Sequence, residues 1–248
     1  MASTYLTRTP SSVGNRKTFT YSSWVKLSSD STDAISIGLS SGSTTGGIRT
    51  EYTIADNKIR LGFNPTGSVW YQLYSASVLR DTSAWYHLVL AVDMTQSTAS
   101  NRIKLFINGL QVSLTGSYPA QNTDLPINNN IRHTIGCYSA QLIQIFDGSM
   151  SHIHFIDGTA YDASYFGSTD SVTGEWKINT SPSVTYGTNG FFILKDGNSV
   201  TDQSGEGNDF TVGGGTLTNT EDSPSCVFAT LNPLDKRRNN NMGTLSFG

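Results

Sequence analysis

The sequence predicts an all-β protein, an antiparallel β-sandwich of jelly-roll type, and three observations carry that prediction. Short segments alternate apolar and polar residues with period two. In Asn57–Phe63, Ile59, Leu61 and Phe63 share one face and Lys58 and Arg60 the other, as in a half-buried antiparallel strand. Asn108-Gly109 stands between two such runs, and both central residues of a type I′ hairpin turn need positive φ, which Asn and Gly tolerate. The composition is 36% hydrophobic but only 14% charged, so Ser, Thr, Asn and Gly must supply the polar surface. That suits strands and tight turns, not long helices built on Glu, Lys and Ala.

The elements follow in order. Thr18–Lys26 is β-rich and free of Gly and Pro, Ile35–Leu39 alternates, and Ser41–Gly47 reads as a loop. Val69–Tyr74 is a strand rich in aromatics. Trp85–Asp93 is apolar on both faces, as a central strand requires. Arg102–Ile107 sends Ile103, Leu105 and Ile107 to one side, where the core between the layers should lie, and Leu110–Val112 returns after the turn. Pro119–Asn130 is a polar loop, and strands resume at Ile131–Gly136 and Ser149–Ile156. Asp157–Gly174, with Tyr161, Tyr165 and Phe166, is expected to form a helical turn and loop folded over one sandwich edge. Trp176–Tyr186 reads as irregular. Gly190–Lys195 is a strand and Asp209–Val212 a weaker one. The sandwich is assigned to residues 1–222, and residues 223–248 read as a C-terminal linker or assembly tail.

Charge and composition exclude several functions. A formal net charge of −3 removes the electrostatic case for nucleic acid, and Lys236-Arg237-Arg238 reads as part of a solvated tail. No apolar run approaches the ~20 residues of a membrane-spanning helix. The start, Met1–Tyr5, lacks the basic and apolar stretches of a signal peptide, so synthesis in a cytoplasm is expected. Cys137 and Cys226 could pair, but two cysteines so far apart read as isolated thiols.

Specific residues resemble a known family. Phe19-x-Tyr21-x-x-Trp24-Val25-Lys26 resembles the opening strand of laminin-G-like domains of the concanavalin A-like lectin/glucanase group. Trp85–Asp93 followed by Arg102–Gly109 is similar to their central strand, loop, strand and turn. Phe146-Asp147-Gly148-x-Met150 is similar to a later strand that closes the fold. Tyr5–Ser12, Phe155–Tyr161, Tyr186–Phe191 and Phe228–Leu234 resemble a version found in marine bacteriophage and related viral structural proteins. The resemblance implies a non-enzymatic module on a virion surface or tail, packed with other virion proteins. It further implies a homo-oligomer, a trimer or other cyclic assembly, and attachment to host glycans. In those relatives a segment like Phe228–Leu234 often leads into a further module, which would make the chain one piece of a longer protein.

Catalysis is tested against this. A glucanase supplies its carboxylates from one strand as Glu-x-Asp-x-(x)-Glu, so that alternation points them into a cleft. The four glutamates, Glu51, Glu175, Glu206 and Glu221, form no such run, and no catalytic residue is assigned. A glycoside hydrolase and a secreted or cell-surface lectin remain the alternatives. His152 and His154, two apart on one strand, could share a metal but lack completing ligands, so they read as sheet-face histidines, as does His87. No metal ligand and no cofactor is assigned. Asp202–Asp209 is a Gly-punctuated acidic loop that reads as a turn, with calcium as the alternative. Trp70, Tyr71, Tyr74, Tyr118 and Tyr138 are candidate sugar platforms, and the sequence does not choose among them.

Overall fold

The structure is a computed structural model that describes residues 4–28, 35–42, 49–55, 57–195 and 199–225. In chain order its strands are β1 (Tyr5–Arg8), β2 (Thr18–Leu27), β3 (Ile35–Ser36), β4 (Leu39–Gly42), β5 (Arg49–Ala55), β6 (Lys58–Asn64) and β7 (Tyr71–Val78). They continue with β8 (Tyr86–Asp93), β9 (Ile103–Ile107), β10 (Leu110–Val112), β11 (Leu114–Gly116), β12 (His133–Ile135) and β13 (Gly148–Asp157). The last four are β14 (Gly167–Thr169), β15 (Trp176–Ile178), β16 (Phe191–Ile193) and β17 (Thr211–Gly214). One sheet runs β11-β7-β6-β5-β4-β12-β1-β17, with β3 also on β5, and the facing sheet runs β10-β9-β8-β2-β13-β16. Both are antiparallel throughout, which makes the molecule the β-sandwich that its residue patterns predict.

Period-two alternation builds the core. Phe19, Tyr21, Val25 and Leu27 of β2, Leu88, Leu90 and Val92 of β8, and Ile59, Leu61 and Phe63 of β6 all enter one buried cluster. The hairpin lies where its sequence puts it. Asn108 has φ +47° and Gly109 φ +80°, and Leu110 pairs with Ile107. Ile103 and Leu105 are buried in the core and Ile107 packs against it. A Cβ on Gly109 would stand 2.4 Å from the Trp176 ring, so the turn needs glycine for space as well as for φ.

Two expectations require correction. Residues 157–187 do not fold over an edge: they cover the outer face of the six-stranded sheet as a third layer. Trp176–Ile178, read as irregular, is a strand paired with β14, and the helical turn is a short 3-10 helix at Ala163–Tyr165. The physical reason lies in the outward positions of the six-stranded sheet, where Val89 and Ile156 are apolar and must be covered. Ala163 and Phe166 bury them, with Phe106, Tyr161, Trp176, Val184 and Tyr186 packed around. Pro119–Asn130 is a loop, yet it sends Leu125 and Ile127 into the core. Cys226, Lys236-Arg237-Arg238 and Phe228–Leu234 lie outside the described residues, and Cys137 is a buried free thiol.

Candidate functional site

Beyond β17 the chain leaves the nine-stranded sheet and crosses to the six-stranded one. Asp222 fastens this crossing. Its Oδ2 accepts from the Lys26 ammonium at 2.6 Å and its Oδ1 from the Trp85 indole N–H at 3.1 Å. The Lys26 bond holds the Asp222 carboxyl below its ordinary value, opposed by partial burial and aided by Trp85. At the other end the Thr4 hydroxyl donates to the Thr216 carbonyl at 2.9 Å. Under this strap lies a cleft of about 510 Å³, walled by Trp85, Phe146, Met150 and Leu217 and rimmed by Asp147, Ser149, Lys195 and Glu221. Small-molecule sites typically measure about 300–1,000 Å³ and combine apolar walls with a few polar groups. Gly148 shapes the floor. At φ +152° it lets Phe146 fold beneath the start of β13, where a Cβ would meet the Lys26 carbonyl at 2.1 Å.

The aromatic residues named from sequence do not converge here. Tyr138 is buried, Tyr71 and Tyr118 pack against the core, and Trp70 precedes β7. Tyr74 stands exposed on β7 and donates its hydroxyl to Gln72 Oε1 at 3.1 Å. The aromatic residues that do line the cleft are Tyr5, in β1, and Trp85 and Phe146, all three of which stand in the sequence as fold markers. Trp85 and Phe146 each sit just before a strand, at an end of the sandwich, and that position is the signal that could have singled them out.

All four histidines are buried on or between the sheets. The Trp176 indole N–H donates to His87 Nδ1 at 3.0 Å, so the neutral imidazole carries its proton on Nε2 and donates to Ser22 Oγ at 2.9 Å. Burial pushes His87 down to about 3. His133 is lowered to about 4 by burial; its Nε2 accepts from the Asn128 N–H at 3.0 Å and its Nδ1 bonds the Ile131 carbonyl. A β-bulge between Ser151 and His154 gives His152 a φ of +46°, and both His152 and His154 pack against Phe192. Their strand spacing therefore serves ring packing. No group of three or more His, Cys, Asp or Glu residues able to hold a metal occurs among the described residues.

The Asp202–Asp209 loop is an internally bonded turn. The Asp202 carboxylate accepts from the Phe192, Ser204 and Asn208 N–H groups and from the Ser204 hydroxyl, at 2.7–2.9 Å. Asn208, which receives the Arg8 guanidinium, donates to the Thr188 and Gly190 carbonyls, and so the loop pins β16 to β1. Four donors occupy Asp202, which is the reason it organises a turn.

Residues 1–164 match the family model for laminin-G-like domains, described as the concanavalin A-like lectin/glucanases superfamily. The chain belongs to that superfamily. Its laminin-G-like sandwich explains the strand order and the Trp85–Gly109 signature. A Bacteroides ovatus protein named as a candidate carbohydrate-binding protein is 17% identical, with a TM-score of 0.54 over 92% of this chain and 60% of its own. A native heptameric SAP-like pentraxin from Limulus polyphemus is 12% identical, with a TM-score of 0.48 over 78% of this chain and 89% of its own. Domains LG4-5 of the mouse laminin α1 chain are 16% identical, with a TM-score of 0.45 over 64% of this chain and 43% of their own. At 17% identity the likeness to the Bacteroides ovatus protein is one of fold. No curated protein matches the chain.

Proposed function

We propose that this chain is a non-catalytic adhesion module that binds glycans in the cleft beside Trp85 and is displayed on a virion surface. The cleft carries the reading: about 510 Å³ with an aromatic wall and a hydrogen-bonding rim, set on a lectin-like sandwich. A sugar presents apolar C–H faces that stack on such walls and hydroxyls that bond to such rims. The candidate carbohydrate-binding protein of Bacteroides ovatus, which shares this fold over most of the chain, supports the same ligand class. The way the carboxylates of the cleft stand supports the non-catalytic reading. A glycosidase needs one carboxylic acid kept protonated by an apolar setting. Asp147 and Glu221 lie open to solvent, and Asp222 is tied to Lys26 and Trp85.

The viral setting rests on the resemblance of Tyr5–Ser12, Phe155–Tyr161 and Tyr186–Phe191 to phage structural proteins. Weak single-site contacts gain strength through repeated copies, so a cyclic homo-oligomer attached to other virion proteins suits the role. The decisive experiment screens the protein on immobilised glycans and repeats the binding with Trp85→Ala. Binding should fall at least tenfold in the variant, and β-glucans should release no reducing ends. Unchanged binding in Trp85→Ala would place the ligand elsewhere, and turnover lost on mutating a single carboxylate would make the protein an enzyme. Light scattering and antibody labelling of intact particles test the assembly; a monomer that labels no particle would remove the virion role.

A further inference from the structure

Resting on the glycan reading of the cleft, we infer that it selects neutral or amino-bearing sugars and rejects carboxylated ones. Four charged side chains line the cavity: Asp147, Lys195, Glu221 and Asp222. Their partners decide which of these charges a ligand meets. Asp222 is neutralised by the Lys26 ammonium at 2.6 Å. The Lys195 ammonium stands 5.8 Å from the Phe192 ring centroid, a contact that holds the side chain without cancelling its charge. Asp147 and Glu221 have no ion pair or side-chain hydrogen bond among the described residues, and both are exposed. Asp147 is fixed only through its backbone, whose carbonyl accepts the Ser28 N–H at 3.2 Å and the Ser28 hydroxyl at 3.0 Å. The unpaired carboxylates at the rim therefore outnumber the one ring-held ammonium, Lys195, two to one, and the rim is net negative.

A carboxylate there is acceptor-only. It can take hydrogen bonds from sugar hydroxyls or a charge-assisted bond from an ammonium, and it offers nothing to a second carboxylate. Like charges brought together across a contact discriminate by repulsion, which is how a binding site excludes a partner of similar shape. The cleft thus combines attraction for hydroxyls with exclusion of uronic and sialic acids.

The test compares sugars that differ in charge: oligomers of galactose against those of galacturonate, and glucosamine oligomers against N-acetylglucosamine oligomers. Titration calorimetry at low salt with the full chain measures each affinity. Of the galactose pair, the neutral form should bind at least tenfold more tightly than the galacturonate form, and of the glucosamine pair the ammonium form should bind more tightly than the N-acetyl form. The double variant Asp147→Asn, Glu221→Gln, at two exposed positions, should narrow that ratio to about threefold or less and weaken the glucosamine oligomers. A carboxylated oligomer binding as tightly as its neutral counterpart would overturn the selectivity and leave the cleft as a glycan site. Failure of every glycan to bind would remove the site and the selectivity together. A ratio unmoved by the double variant would assign the discrimination to other residues and overturn the inference.

Discussion

Mild acid should destabilise this protein strongly, because His87, His133 and His154 are buried in neutral form. Lowering the pH from 7.5 to 5.0 crosses the ordinary imidazole value of about 6.5. In the unfolded chain His87 and His133 take up protons in that interval. In the folded protein they do not, since burial holds them at about 3 and about 4. The unfolded state therefore binds more protons, and stability is full above about 6.5 and falls with pH until the folded values are reached. Each pH unit below 6.5 costs about 1.4 kcal/mol per group, so at pH 5.0 each histidine costs about 2 kcal/mol and the two together about 4. His154, lowered well below its ordinary value by burial, adds a cost of the same sign. A domain of ordinary stability holds only about 5–15 kcal/mol in all. The displaced carboxyls do not blur the window: Asp81, Asp93, Asp170 and Asp222 are all lowered from 3.8 and titrate below it. Urea unfolding followed by tryptophan fluorescence, at constant ionic strength, measures the difference. His87→Gln supplies the control, because a side-chain amide can accept the Trp176 N–H without titrating, and it should shrink the pH dependence by about 2 kcal/mol. A loss below about 1 kcal/mol between pH 7.5 and 5.0 would refute the buried neutral histidines.

Gly109→Val should destabilise by roughly 2 kcal/mol or more, since φ is +80° and a Cβ would overlap Trp176, while Gly174→Ala, at φ +73° in open space, should cost only about 1. Equal losses in urea unfolding would deny the contact between turn and third layer. Asp222→Asn should speed hydrogen exchange of residues 216–225 and leave the global unfolding midpoint nearly unchanged, because a half-exposed ion pair is worth about 1 kcal/mol or less. Acid should loosen the same strap as the pH falls below 3.8, through the depressed value of that carboxyl. Trp176→Phe keeps the ring and removes the indole donor to His87 at 3.0 Å, and should cost about 1 kcal/mol by urea unfolding.

What was legible in the sequence is what short-range physics determines. The period-two run at Ile59, Leu61 and Phe63 and the two positive φ values at Asn108-Gly109 need no distant partner to be read. The third layer was half legible. Trp85–Asp93 announced apolar faces on both sides, but nothing local said that Phe166 and Trp176, about 80–90 residues later, would cover the outer one. The bulge at His152 was hidden for a related reason: it inserts an extra residue opposite Ser23, and strict alternation carries no mark of that register shift.

The cleft is the extreme case. Asp222 meets Trp85 across 137 residues and Lys26 across 196, and the wall between them exists only because those bonds draw the crossing segment over the sandwich end. A glucanase strand motif would have been visible at once, since its carboxylates are placed by alternation alone. A site assembled by a strap has no such local spacing, and its residues look like turn formers and strand starters until the fold brings them together. The same construction ties binding to the strap's position. Glu221 lies one residue from the Asp222 anchor, so whatever releases Asp222 also moves one of the two carboxylates that face a ligand. Asp222→Asn should therefore weaken discrimination against carboxylated sugars without touching Asp147 or Glu221, and a fully retained ratio would separate the strap from the selectivity.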